Sequence, residues 1–109
     1  MKRSIFLHLG DVLRDYPRID NAIEEHLQCD YYTVTDDRAI QRLREEQRAI
    51  DECVADSTEM TINVIGALYF ERDRSLTNDG VALSLHLSKA TLYRCRNEFL
   101  ERLRNKLGW

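Results

Sequence analysis

Apolar residues along this chain recur at steps of three and four rather than two, which predicts helices and no strand. Ile5, Phe6, Leu9, Val12, Leu13 and Tyr16 make residues 3–15 one amphipathic helix. Tyr16-Pro17 ends it, because the residue before a proline is pushed out of the helical region. Pro17 then fits the first turn of a second helix reaching about Gln28, with Ile19, Ile23 and Leu27 facing inward. Asp30 to Asp37 is polar and rich in Thr and Tyr, and reads as an extended loop. From Asp36 to about Asp56, the seam Ile40, Leu43, Gln47, Ile50, Val54 has the spacing of a helix packed lengthwise on another, in the same chain or in a second copy. Ser57 is placed to cap a further helix that carries Met60, Val64, Ile65, Leu68 and Tyr69. A charged link, Glu71 to Arg74, leads to Thr77, the cap of the next helix.

Residues 78–97 hold the most specific pattern. Val81 and Leu85 lie one helical turn apart and face inward, and small Ala82 leaves room for a second helix to cross closely. Leu87 closes a short turn, and Ser88 is a good N-cap for a helix whose Leu92, Cys95, Phe99, Leu100, Leu103 and Leu107 form the buried stripe. Gly108 ends that helix. Such a pair has the layout of a helix-turn-helix, in which the second helix enters the major groove of DNA. Lys89, Ala90, Tyr93, Arg94 and Asn97 are left facing away from the core. Arg94 can fork onto a guanine edge and Asn97 onto adenine, while Lys89, Arg96 and the hydroxyls of Ser88, Thr91 and Tyr93 can reach phosphates or bases. The candidate DNA-binding set is therefore Ser88, Lys89, Ala90, Thr91, Tyr93, Arg94, Arg96 and Asn97. His86 departs from the common pattern: it stands where the turn tends to adopt positive φ and usually carries glycine. Helical hairpins in bundles without a nucleic-acid role share part of this layout. The apolar positions, the small residue, the cap and the basic outer face agree here at once.

Composition narrows the picture. At 109 residues, with one proline and four glycines, the chain is long enough for a single core and short on loop material. The fold class is all-α, a small bundle of five or six helices. Residues 1–74 form a helical region for packing, oligomerisation or polymerase contact, and residues 75–109 carry the helix-turn-helix within one compact domain. The net charge of −3 is unevenly divided. Residues 84–109 hold Lys89, Arg94, Arg96, Arg102, Arg104 and Lys106 against Glu98 and Glu101, a balance of +4, which leaves −7 on residues 1–83. A basic reading helix on an acidic body is the electrostatic footprint of a DNA binder that resists indiscriminate binding.

Cys29, Cys53 and Cys95 stand singly, without a CxxC pair, and His8, His26 and His86 lack ligand spacing. This points to a reducing cytosol and away from zinc or a disulfide framework. The opening MKRSIFLHLGDVL is broken by Asp11 and Arg14 and reads as a helix rather than a signal peptide, and no apolar run reaches membrane-spanning length. No phosphate loop, HExxH or nucleophile elbow is present, so catalysis, a cofactor and a small-molecule ligand are not expected. Glu24-Glu25 and Glu45-Glu46 read as exposed helix-face carboxylates among arginines, with Arg42 and Glu46 an i,i+4 pair.

The LxxYPxIDxxIEE stretch of Leu13 to Glu25, the central helices and the C-terminal LSLHLSKATLYRCRNEFLERLRNKLG together resemble the small phage and prophage regulators of the RinA and ArpU type. The likeness is most specific in the SxxTxYRxRNxFL run from Ser88 to Leu100. It implies a late-gene transcriptional activator in the cytoplasm of a bacterial host, with a C-terminal part similar to region 4 of sigma factors. By it, Ser88, Lys89, Thr91, Tyr93 and Arg94 inherit the DNA contacts. Double-stranded DNA is the expected partner, with RNA polymerase and a second copy of the chain as candidate protein partners. Two other classes stay open: a small terminase subunit, whose helix-turn-helix is usually N-terminal, and a pure interaction protein whose acidic helices bind polymerase or another regulator.

Overall fold

The computed structural model describes residues 1–28 and 31–109. Six α-helices lie among them, α1 (Arg3–Asp15), α2 (Ile19–Leu27), α3 (Val34–Ala55), α4 (Glu59–Ile65), α5 (Asn78–Ser84) and α6 (Lys89–Leu107), with no strand among the described residues. The fold is all-α.

The first helix ends at Asp15, but not by the route expected. Tyr16 stays helical (φ −49°, ψ −46°), and a 3-10 turn over Tyr16–Arg18 carries the chain past Pro17 into α2. Proline removes one N–H from the ladder. Here the chain tightens to i→i+3 bonding, with the Ile19 amide on the Tyr16 carbonyl, instead of unwinding.

Helices α2 and α3 pair as a hairpin over a small core of Ile19, Ile23 and Ile40. Leu27, expected inside, is 55% exposed: the last turn of α2 presents His26 to the start of α3, and Leu27 lies outside the small core. Helix α3 starts at Val34, inside the stretch expected to be loop. The cause is a capping box: the Thr33 hydroxyl accepts from the Asp36 amide at 3.2 Å, and Asp36 accepts from the Thr33 amide at 3.0 Å. His26 Nδ1 lies 2.9 Å from Asp36 Oδ1, and this bond, with those from Thr33, holds the Asp36 carboxyl at about 2. Of the rest of the expected loop, residues 31–33 are non-helical, and Asp30, like Cys29 before it, lies outside the described residues.

The α3 seam is filled within the chain. Ile40 meets α2, whereas Ala49, Ile50 and Cys53 enter the main core with Val54 at its edge. Side-chain bonds from Gln47 to Asp20 (2.8 Å) and from Tyr16 to Asp51 tie the hairpin together. Thr58, not Ser57, caps α4, accepting from the Thr61 amide at 3.3 Å. The Ser57 hydroxyl instead donates to the Cys53 carbonyl at 2.6 Å. Met60 is 44% exposed, but Val64 and Ile65 are fully buried, and the chain leaves α4 through a π turn, Gly66–Phe70, that buries Leu68 and Tyr69.

Helix α6 is the central member. Its Leu92, Phe99, Leu100 and Leu103 are completely buried against Leu9 and Leu13 of α1, Ile50 and Cys53 of α3, Val64 and Ile65 of α4, and Val81 and Ala82 of α5. Residues on both sides of position 75 thus belong to one hydrophobic cluster. The carboxylates behave less simply than i,i+4 pairing suggests. Glu46 makes no ion pair within 4 Å of a described residue, and partial burial raises its pKa against the pull of Arg42.

Candidate nucleic-acid interface

The approach to α5 is held shut by side chains. Arg72 Nη2 donates to the Leu76 carbonyl at 2.9 Å and to Asn78 Oδ1 at 3.4 Å. The Asp73 carboxylate accepts from the Ser75 hydroxyl and amide, which lowers its pKa. Thr77 then caps α5, its hydroxyl accepting from the Gly80 amide at 3.2 Å.

The α5–α6 connection saturates its backbone groups locally. The His86 amide donates to the Leu83 carbonyl at 3.1 Å and the Leu87 amide to the Ala82 carbonyl at 2.9 Å, the two bonds of a Schellman ending. Its left-handed position is His86 itself, with φ 58°, the one non-glycine residue of positive φ among the described residues. Ser88 follows in extended conformation (φ −71°, ψ 156°) and its hydroxyl accepts from the Thr91 amide at 3.1 Å. The angle between the helices is therefore set by a capped end and a capped start with no free residue between them. Leu87 packs at the edge of the main core beneath the turn.

The structure sorts the candidate residues into three groups. Ser88, Lys89, Ala90, Arg94 and Asn97 are exposed. Thr91 is half-buried and engaged in the cap through the Ser88 hydroxyl at 2.9 Å. Tyr93 and Arg96, expected on the outer face, turn toward α1. Tyr93 packs against the core, and the Arg96 guanidinium lies 4.9 Å from the Phe6 ring centre and 4.7 Å from that of Tyr93. Arg96 Nε also donates to Asn97 Oδ1 at 3.1 Å. The two side chains project from α6 toward the α1 crossing, where Phe6 offers a ring face that favours a cation.

Most cations of the C-terminal third have partners. Lys89 pairs with Asp79 at 2.9 Å, which raises its pKa, and this surface pair contributes little to stability. Lys106 lies 3.4 Å from Glu52 and 3.6 Å from Asp56, and Arg104 lies 3.5 Å from Glu101. Arg102 donates to the Asp56 carbonyl at 3.3 Å. Arg94 makes no hydrogen bond or ion pair with any described residue. It stands on the solvent side of α6, one turn beyond exposed Ala90 and three residues before exposed Asn97.

Arg72 and Asp79, which the sequence reading does not name, shape this surface together with Phe6, which it reads only as an apolar position of the first helix. Asp79 and Lys89 belong to different helices, and only the α5–α6 turn brings them together. Among the described residues no group of His, Cys, Asp and Glu is arranged to hold a metal, and no helix is long and apolar enough to cross a membrane. Cys53 and Cys95 are buried free thiols, and burial pushes the Cys53 thiol up.

No curated protein and no solved structure matches the chain. Residues 11–105, which take in everything from the middle of α1 to the last turn of α6, match one family, and the chain belongs to it: a family described as a protein of unknown function (DUF722).

Proposed function

We propose that the protein is a sequence-specific regulator of transcription that binds double-stranded DNA and reads its major groove with α6. The observation that carries this reading is Arg94, an exposed guanidinium without an internal partner, between Ala90 and Asn97 on the solvent side of a helix whose start is fixed by the His86 turn and the Ser88 cap. An arginine of this kind is suited to bidentate contact with guanine, an asparagine to adenine, and a small alanine to close approach. Ser88 and Lys89, at the start of the helix, suit phosphate contact. The resemblance to phage late-gene activators extends the proposal to a regulator acting in the cytoplasm of a bacterial host. A second copy of the chain, or RNA polymerase, supplies the further contacts that one reading helix lacks. Because the α3 seam is occupied within the chain, such a partner has to use another surface.

The −7 carried by residues 1–83 supports a second reading, an interaction protein that binds a basic surface on polymerase or another regulator. Selection of duplexes from a random-sequence library, followed by fluorescence anisotropy at matched salt, separates the two. A DNA reader enriches a motif, and Arg94→Ala weakens binding to it by about 1–3 kcal/mol, roughly 5- to 150-fold. Failure to enrich any motif refutes the DNA reading, and equal affinity of parent and variant for an enriched motif refutes the base-reading role of Arg94.

A further inference from the structure

Beside the outward side of α6 lies a cleft formed with the start of α1. Its walls are Met1, Arg3, Phe6, Arg96, Asn97 and Glu101. Asn97 is common to this cleft and to the exposed face that carries Arg94, so the two surfaces are continuous. Lys2 and Arg3 are exposed and make no ion pair with any described residue, and the first turn of α1 carries no acidic side chain. Glu101, the one carboxylate in the cleft, is already within 3.5 Å of Arg104. Leu9 and Leu13 hold α1 in the main core, and beside them Arg96 spans the rings of Phe6 and Tyr93. That stack gives Arg96 a positioning role in place of a base contact.

A helix seated in a major groove about 12 Å wide has a ridge of phosphates along each side. We infer that Lys2 and Arg3 form a phosphate-contacting shoulder, docked on the sugar-phosphate backbone that flanks the groove read by α6. The inference rests on the DNA-binding proposal. It adds a sequence-independent anchor at the opposite end of the chain from the reading helix, which fixes how far α6 turns about its own axis in the groove.

The test uses the full chain and the duplex that the parent selects from the random library, with a scrambled duplex alongside. Each neutralised phosphate contributes about 0.9 to the slope of log affinity against log salt. Lys2→Ala with Arg3→Ala should lower that slope by about 1.8, so that a roughly fourfold rise in salt costs the variant about twelvefold less affinity than it costs the parent. The loss should be equal on the selected and scrambled duplexes, since phosphate contacts carry no sequence information. Arg38→Ala with Arg44→Ala, which removes the same charge from the part of α3 that lies against α2, should leave the slope unchanged. An unchanged slope in the Lys2, Arg3 variant, or an equal fall in the α3 control, overturns the shoulder. If Arg94→Ala still weakens binding to the selected duplex more than to the scrambled one in that case, the reading of α6 stands and only the shoulder is lost. A parent that selects no duplex removes both.

Discussion

Replacement of His86 by glycine should make this protein more stable, although it deletes a whole side chain. His86 holds φ 58° at the left-handed position of the α5–α6 turn. An L-residue there loses about 1–2 kcal/mol to the close approach of its Cβ and the backbone. Glycine relieves that strain but brings greater freedom in the unfolded chain, which costs roughly 0.5–1 kcal/mol. The imidazole is exposed and makes no hydrogen bond or ion pair with a described residue, so its removal forfeits little. Both hydrogen bonds of the turn are backbone bonds, to Leu83 and Ala82, and persist in the variant. Taken at the middle of the two ranges, the difference is a gain of about 0.5–1 kcal/mol. For a domain of this size that raises Tm by roughly 2–8 °C. Thermal unfolding followed by far-ultraviolet circular dichroism, with urea unfolding as a second measure, reads the change. His86→Ala is the informative control, since it deletes the imidazole yet keeps a Cβ in the strained conformation and should be no more stable than the parent. A glycine variant no more stable than the parent, or an alanine variant as stable as the glycine one, would refute the left-handed turn. The crossing of α5 and α6, and with it the outward placement of Arg94, would then need revision.

Leu92 is fully buried between α6 and its neighbours, so Leu92→Ala should cost about 2–5 kcal/mol through lost burial and the cavity left behind, whereas volume-conserving Leu92→Met should cost under about 1.5 kcal/mol. Equal melting temperatures for the two variants would show that α6 is rotated from the orientation described. The Asp36 carboxyl, held at about 2 by His26 and the Thr33 cap, lies below its unfolded value of about 3.9. Its contribution to stability is therefore present above about pH 4 and lost as the pH falls through about 2. Asp36→Asn should flatten the acid limb of the stability curve over that window, and parallel acid limbs for parent and variant would show that the α2–α3 cap is not formed in solution.

Much of the helical framework is legible in the sequence because its signals are local. The spacing of Leu9, Val12 and Leu13 sets the inner side of α1, and that of Leu92, Cys95 and Phe99 sets the inner side of α6. The caps Thr77 and Ser88 act on amides three residues away, and Gly108 ends α6 with φ 72°. The His86 anomaly is visible for the same reason, since a positive φ is a demand on one residue. The capping box at Thr33 was equally local, a Thr-x-x-Asp signal, but the Thr and Tyr content around it argued for loop.

What only the tertiary structure decided are the positions at the margins of each stripe. Leu27 and Met60 have helical phases compatible with burial, yet no neighbouring element covers them. Tyr93 and Arg96 have phases compatible with the outer face, yet α1 crosses beside them and Phe6 takes the guanidinium. Whether the α3 seam meets its own chain or a second copy depended on where α1, α2 and α6 lie, and the chain fills the seam itself. Helical periodicity fixes the direction in which a side chain points, but its partner comes from segments distant in sequence. Arg94 is left unpaired on the solvent side of α6 by that long-range arrangement, while the Ser88 cap that holds it there was written locally.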